Sequence, residues 1–126
     1  MIATAPNVQA HRGKHCHSRA CPERVAMKQC GQARPVACIR RAALRHRVSF
    51  RLQLAIARCE SGLNPFVTNR EGSGSSGLMQ FMPATFDSTP YRHRSIFSAK
   101  WNALAGAWLM RRAGTGPWIA SRGCWR

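Results

Sequence analysis

The chain has 126 residues, 44% of them hydrophobic and 8% aromatic, which is enough for one packed core and excludes a second domain of ordinary size. Its 20 Lys and Arg against 4 Asp and Glu leave a formal net charge of +16, so a polyanion is the expected partner: nucleic acid, an anionic membrane or an anionic envelope polymer. No stretch approaches the roughly 18 apolar residues of a membrane span, and residues 1–25 lack the apolar centre of a secretory signal.

Residues 1–47 carry Cys16, Cys21, Cys30 and Cys38, several His and many Arg, with no hydrophobic period long enough to specify a packed element. They read as a basic N-terminal extension, disordered or partly helical, in which residues 36–44 after Pro35 form a short basic helix. The four Cys with His11, His15 and His17 offer the donor types of a zinc site. No pair has the tight spacing of a zinc knuckle and no core surrounds them, so no metal is expected.

The packed domain is expected over residues 48–126. Val48, Phe50, Leu52, Leu54 and Ile56 alternate as a strand would, whereas Leu52, Ile56, Cys59 and Leu63 follow helical spacing. Ala55 and Ala57 favour the helix, and Gly62 can end it in the left-handed conformation. Residues 69–77, rich in Gly and Ser, form a loop. Pro83 opens a short helix that ends before Pro90. Ser98 caps a longer one through Trp101, Leu104, Ala105, Trp108 and Leu109, with Arg111 and Arg112 at its C-terminal end and Gly114 as its stop. The heavy apolar content of Trp118, Ile119, Cys124 and Trp125 implies a tail that packs back on the domain.

Acid-base chemistry has only four carboxylate side chains to draw on: Glu23, Glu60, Glu71 and Asp87. Glu60 stands in Cys59-Glu60-Ser61-Gly62-Leu63-Asn64-Pro65, followed by Ser76-Gly77-Leu78-Met79-Gln80-Phe81-Met82-Pro83 and by Asn102-Ala103-Leu104-Ala105-Gly106-Ala107-Trp108-Leu109. These segments resemble the soluble lytic transglycosylase family of lysozyme-like domains. The end of the chain is similar to actinobacterial and phage members, including relatives of the resuscitation-promoting factors. The resemblance covers roughly residues 48–126.

It implies a mainly α lysozyme-like fold of the α+β kind, with helices around a small irregular or β-hairpin loop region, and an enzyme that cleaves the glycan strands of peptidoglycan. Ordinary glycosidases pair two carboxylates, at about 5 Å or at roughly 6.5–9.5 Å. Here the only candidates for a second are Glu71 in a Gly-Ser loop and Asp87 near a helix end. In lytic transglycosylases one Glu serves as acid and then as base while the substrate's own C6 hydroxyl attacks, giving a 1,6-anhydro sugar. Carried over by residue, Glu60 is the catalytic acid, Ser61 orients its carboxyl and Gln80 hydrogen-bonds the sugar. Gly77 gives close backbone approach to the glycan, Met79 and Phe81 form the cleft wall, and Asn102 lies on the helix facing the catalytic residue. Trp108 stands where the family has Tyr, and the family's later Tyr-Asn motif is absent. The resemblance to secreted members also implies a Cys59–Cys124 disulfide.

The expected partner is therefore a peptidoglycan strand, met outside the cytoplasm by a monomer without a cofactor, with the basic N-terminus free to hold anionic wall polymers. Two alternatives stay open: a muramidase-type hydrolase acting on the same bond, and a non-catalytic basic module that binds nucleic acid or anionic envelope.

Overall fold

In the structure, a computed structural model that describes residues 29–126, five helices and one 3-10 segment surround a single core. Helix α1 spans Pro35–His46, α2 Phe50–Ser61, α3 Pro83–Asp87, α4 Ala99–Ala113 and α5 Arg122–Trp125, with the 3-10 segment Gly116–Ser121 between α4 and α5. No strand forms among the described residues. The loop region between α2 and α3 holds only isolated bridges, Thr68 to Ser76 and Ser76 to Phe81, and is irregular in form.

Helix α4 is the axis. Ser98 accepts a hydrogen bond from Trp101 N at its start, Arg111 and Arg112 occupy the last turn, and Gly114 closes it. Eight of its residues are buried, five of them Gly or Ala at positions 99, 103, 105, 106 and 107, so neighbouring backbone approaches it closely. Helix α2 begins at Ser49, whose hydroxyl accepts from Leu52 N, and ends at Gly62 with φ 61°. Gln53, fully buried, ties α2 to α4 by donating from Nε2 to Ala103 O at 2.8 Å.

Helix α1 departs from the division expected at residue 47. The run 36–44 is helical, but it packs along α4 as part of the body, burying Cys38, Ile39, Ala42 and Ala43. Truncating a fully buried side chain such as Ile39 to Ala costs about 2–5 kcal/mol, which an appendage would not show. The reason it escapes a hydrophobicity pattern is chemical: its buried face is mostly Ala and Cys, and its outer face is Arg.

Two disulfides close the described chain, Cys30–Cys38 and Cys59–Cys124, with sequence separations of 8 and 65. By loop-closure arithmetic the long one contributes about 4 kcal/mol and the short one about 2.5 kcal/mol. The long bridge fastens α5 to α2 and so closes the C-terminal tail over the loop region. Cys16 and Cys21, with the His considered for zinc, lie outside the described residues.

Candidate active site

Glu60 is the penultimate residue of α2 and is half-buried. Beyond it Gly62 and Leu63 both adopt left-handed backbone, φ 61° and 64°, so the chain turns sharply away and leaves the end of α2 open on one side. Asn64 Oδ1 then accepts from Phe66 N at 2.9 Å and fixes the next bend.

Facing this end is a tight turn over residues 76–81. Ser76 and Phe81 exchange backbone hydrogen bonds, 2.8 Å from Ser76 N to Phe81 O and 3.0 Å in return. Gly77 sits at φ 83°, and a Cβ there would lie 2.2 Å from Asn102 Nδ2 and 2.3 Å from Ile96 O, so only glycine fits. Gln80 also has positive φ, 53°, an uncommon conformation for a residue with a side chain, costing about 1–2 kcal/mol. It is held there from both sides: its Nε2 donates to Val67 O and to Gly77 O, each at 3.0 Å. With Nε2 occupied, its Oε1 is the atom of the amide left for a partner from outside.

The turn is pinned from beneath by three side chains. Ser61 Oγ donates to Leu78 O at 2.7 Å and lies 3.1 Å from Ala57 O. Asn102 Oδ1 accepts from Met79 N at 2.7 Å while its Nδ2 donates to Ile96 O at 2.8 Å. Trp118 Nε1 donates to Met79 O at 2.9 Å. Breaking such a set strands buried polar groups, each at about 1–3 kcal/mol.

Between α2, the turn and the C-terminal segment runs a groove of ≈ 430 Å³. Its lining joins polar Asn69, Ser73, Ser75, Gln80 and Thr85 to apolar Phe81, Met82, Leu109, Pro117 and Trp118. Glu60 lies in its lining. Glu71 and Asp87 are exposed and do not line it, so Glu60 is the sole carboxylate of the groove among the described residues. A cleft that mixes hydroxyls and amides with rings suits a sugar, whose rim is polar and whose faces are C–H.

Of the residues expected at the site, Glu60, Gln80 and Phe81 meet in the groove. Ser61 does not point its hydroxyl at the Glu60 carboxyl; it is spent on backbone carbonyls. Met79 is fully buried and forms no cleft wall; a Cβ on Gly106 would come within 2.8 Å of its Cγ, so it is packed on α4 behind the turn. Gly77 yields to Asn102 and Ile96, not to the glycan. Asn102 is buried and shapes the turn, and Trp108 lies outside the groove lining with Arg112 stacked on its ring, Cζ 4.8 Å from the centroid. Sequence reasoning missed Asn69, Ser73, Ser75 and Trp118 as lining residues. The one signal for the first three was polar side chains in the loop immediately before Gly-Leu-Met-Gln.

No curated protein and no solved structure matches the chain. Residues 37–116, well over half of it and beginning inside α1, match the family described as the transglycosylase SLT domain, and the chain belongs to that lysozyme-like family.

Proposed function

We propose that the protein is a peptidoglycan lytic transglycosylase that cleaves the β-1,4 bond between N-acetylmuramic acid and N-acetylglucosamine, with Glu60 as its single acid and base. The observation that carries this reading is a groove whose lining holds one carboxylate among the described residues together with Gln80, Phe81 and Trp118. Glu60 gives its proton to the glycosidic oxygen as the bond to the muramic C1 breaks. The same carboxylate then takes the proton of the muramic C6 hydroxyl as that oxygen attacks C1, which closes the 1,6-anhydro ring and restores the acid. No water and no second carboxylate enter, in keeping with the exposed positions of Glu71 and Asp87 outside the groove. Gln80 presents Oε1 to a sugar hydroxyl beside the bond, and Phe81 and Trp118 flank the ring's C–H face.

The unit that acts runs from α1 to α5, and the basic residues ahead of it form an extension. Two disulfides among the described residues fit an oxidising space outside the cytoplasm, where the substrate lies. No helix among the described residues is long and apolar enough to cross a membrane. The protein acts as a monomer.

Digestion of purified cell wall tests the proposal. The expected products are anhydro-muropeptides in the mass spectrum, absent with Glu60→Gln. Reducing ends in their place mean hydrolysis by water, and an absence of products from folded protein ends the enzymatic reading.

A further inference from the structure

At the N-terminal end of α4, away from the groove, lies a connected cluster of basic and aromatic side chains that the proposed reaction does not use. Tyr91 is its centre. His46 Nε2, at the end of α1, lies 2.7 Å from the Tyr91 hydroxyl, and the two rings meet edge to face at 6.0 Å. Arg45 also faces that hydroxyl: burial raises the Tyr91 pKa above its ordinary range and the Arg45 charge opposes the rise. Tyr91 packs on Trp101, ring centroids 5.8 Å apart and 35° between planes. Over the Trp101 ring stand two more cations, Arg94 with Cζ at 4.5 Å and Lys100 with Nζ at 4.3 Å. Among the described residues, no acidic side chain takes part in any of these contacts. Arg92 and His93 extend the cluster on the exposed turn between Tyr91 and Arg94.

Like charges gathered without a counter-charge repel one another, and an ordinary solvated face would interleave acids. Here the rings take the place of counter-ions. Each cation over an aromatic face is attracted to the ring and loses freedom of its head group, so the charges are displayed in fixed places. The same contacts decide what kind of anion fits. Single-stranded nucleic acid is held by bases stacked on open aromatic faces as well as by phosphate contacts. The Trp101 face is covered by Arg94 and Lys100, and Tyr91 lies against Trp101 and His46, so the cluster offers charge without a stacking platform.

We propose that this end of the molecule is a docking surface for a phosphodiester polymer without bases, such as a polyol-phosphate strand. The two disulfides fit an oxidising space outside the cytoplasm, away from the cell's nucleic acid. Trp101 and the groove-lining Leu109 are eight residues apart on α4, about 12 Å along the helix, so the surface lies outside the groove.

The test is titration of the full chain with synthetic poly(glycerol phosphate) over a series of salt concentrations. A single-stranded oligocytidylate of equal phosphate number and phosphatidylglycerol vesicles are titrated in parallel. Binding is read without cleavage, so failure here leaves the transglycosylase reading untouched, and failure of that reading leaves this one standing. The expected result is preference for the polyol phosphate. The triple variant Arg45→Gln, Arg94→Gln, Lys100→Gln weakens binding at least about tenfold and lowers the slope of log K against log salt by about 2, near 0.7 for each lost contact. A matched triple at the other end, Arg111→Gln, Arg122→Gln, Arg126→Gln, weakens it less than about threefold. Arg92→Gln, on the exposed turn and outside the packed contacts, weakens it about threefold with an unchanged melting curve, which covers the case in which the triple fails to fold. Equal losses in the two triples, no effect of Arg92→Gln, or binding of the oligocytidylate or the vesicles as tight as that of the polymer overturns the proposal.

Discussion

The turn over residues 76–81 has an underside and a mouth, and the two are made of different chemistry. Beneath it, Ser61, Gly77, Met79, Asn102 and Trp118 are buried, and apart from Gly77 and Met79 themselves each spends a side-chain hydrogen bond on the turn or its flanks. At the mouth, Glu60, Gln80, Ser73 and Ser75 are left partly or fully open and line the groove. A run of motif residues is therefore not a run of groove-lining residues. Half of this one holds a strained turn still so that the other half can meet a ligand.

The comparison breaks first at Glu60. Glu60→Gln removes the only groove carboxylate among the described residues and is expected to lower the rate of anhydro-muropeptide release by about 10³-fold or more, close to 4 kcal/mol of barrier. Its melting temperature should stay within a degree or two of the parent, since a mouth residue supports no packing. Retained activity would place the proton donor elsewhere. On the underside the expectation reverses. Gly77→Ala forces a Cβ into Asn102 Nδ2 and Ile96 O at a backbone angle that disfavours any side chain, so stability should fall by about 3 kcal/mol or more, read by denaturant unfolding. Any loss of activity should then track the folded fraction. Normal stability of this variant would mean that the turn is not the constraint described above.

Gln80 belongs to both sides and sharpens the boundary between them. Its Nε2 serves the turn and its Oε1 carries no hydrogen bond from the described residues, so Gln80→Met keeps the volume while removing both atoms. The expected loss in kcat/KM is about tenfold, with a stability cost of roughly 1 kcal/mol from Val67 O and Gly77 O losing a donor. A stability loss much larger than the catalytic one would assign Gln80 to the underside.

Helices α2 and α4 were legible in the sequence because each joins an apolar period to a chemically specific end: Gly62 closing α2, and Ser98 and Gly114 bounding α4. Helix α1 was not legible as core. Ala42, Ala43 and Cys38 bury against α4 because they are small, and small side chains leave almost no hydrophobic signal beside Arg40, Arg41 and Arg45. At the site, the pattern around Glu60 and Gln80 was visible, but linear order does not say which way a side chain faces. Ser61 follows Glu60 directly and yet turns into the body, about 100° around the helix from it. The loop 69–77 is legible in the sequence only as a loop, because its high Gly and Ser content signals irregular backbone and gives no hint of which side chains line the groove.

That loop supplies the smallest expected effect and the closest test of the mouth. Asn69 N donates to Ser75 O at 2.8 Å and Gly74 N to Asn69 O at 3.1 Å, so the loop is closed on itself and its side chains stand in fixed places. Ser73 Oγ and Ser75 Oγ are hydrogen-bonded to each other, which leaves the pair one proton to donate and lone pairs to accept with. Such a pair adds substrate binding that is the same in the ground state and the transition state. The double variant Ser73→Ala, Ser75→Ala should therefore raise KM about threefold on a soluble glycan, leave kcat unchanged, and leave unfolding unchanged because both positions lie at the surface of the groove. A fall in kcat with KM preserved would instead bring these hydroxyls into the bond-breaking step beside Glu60, and the polar lining would then be part of the chemistry and not only its rail.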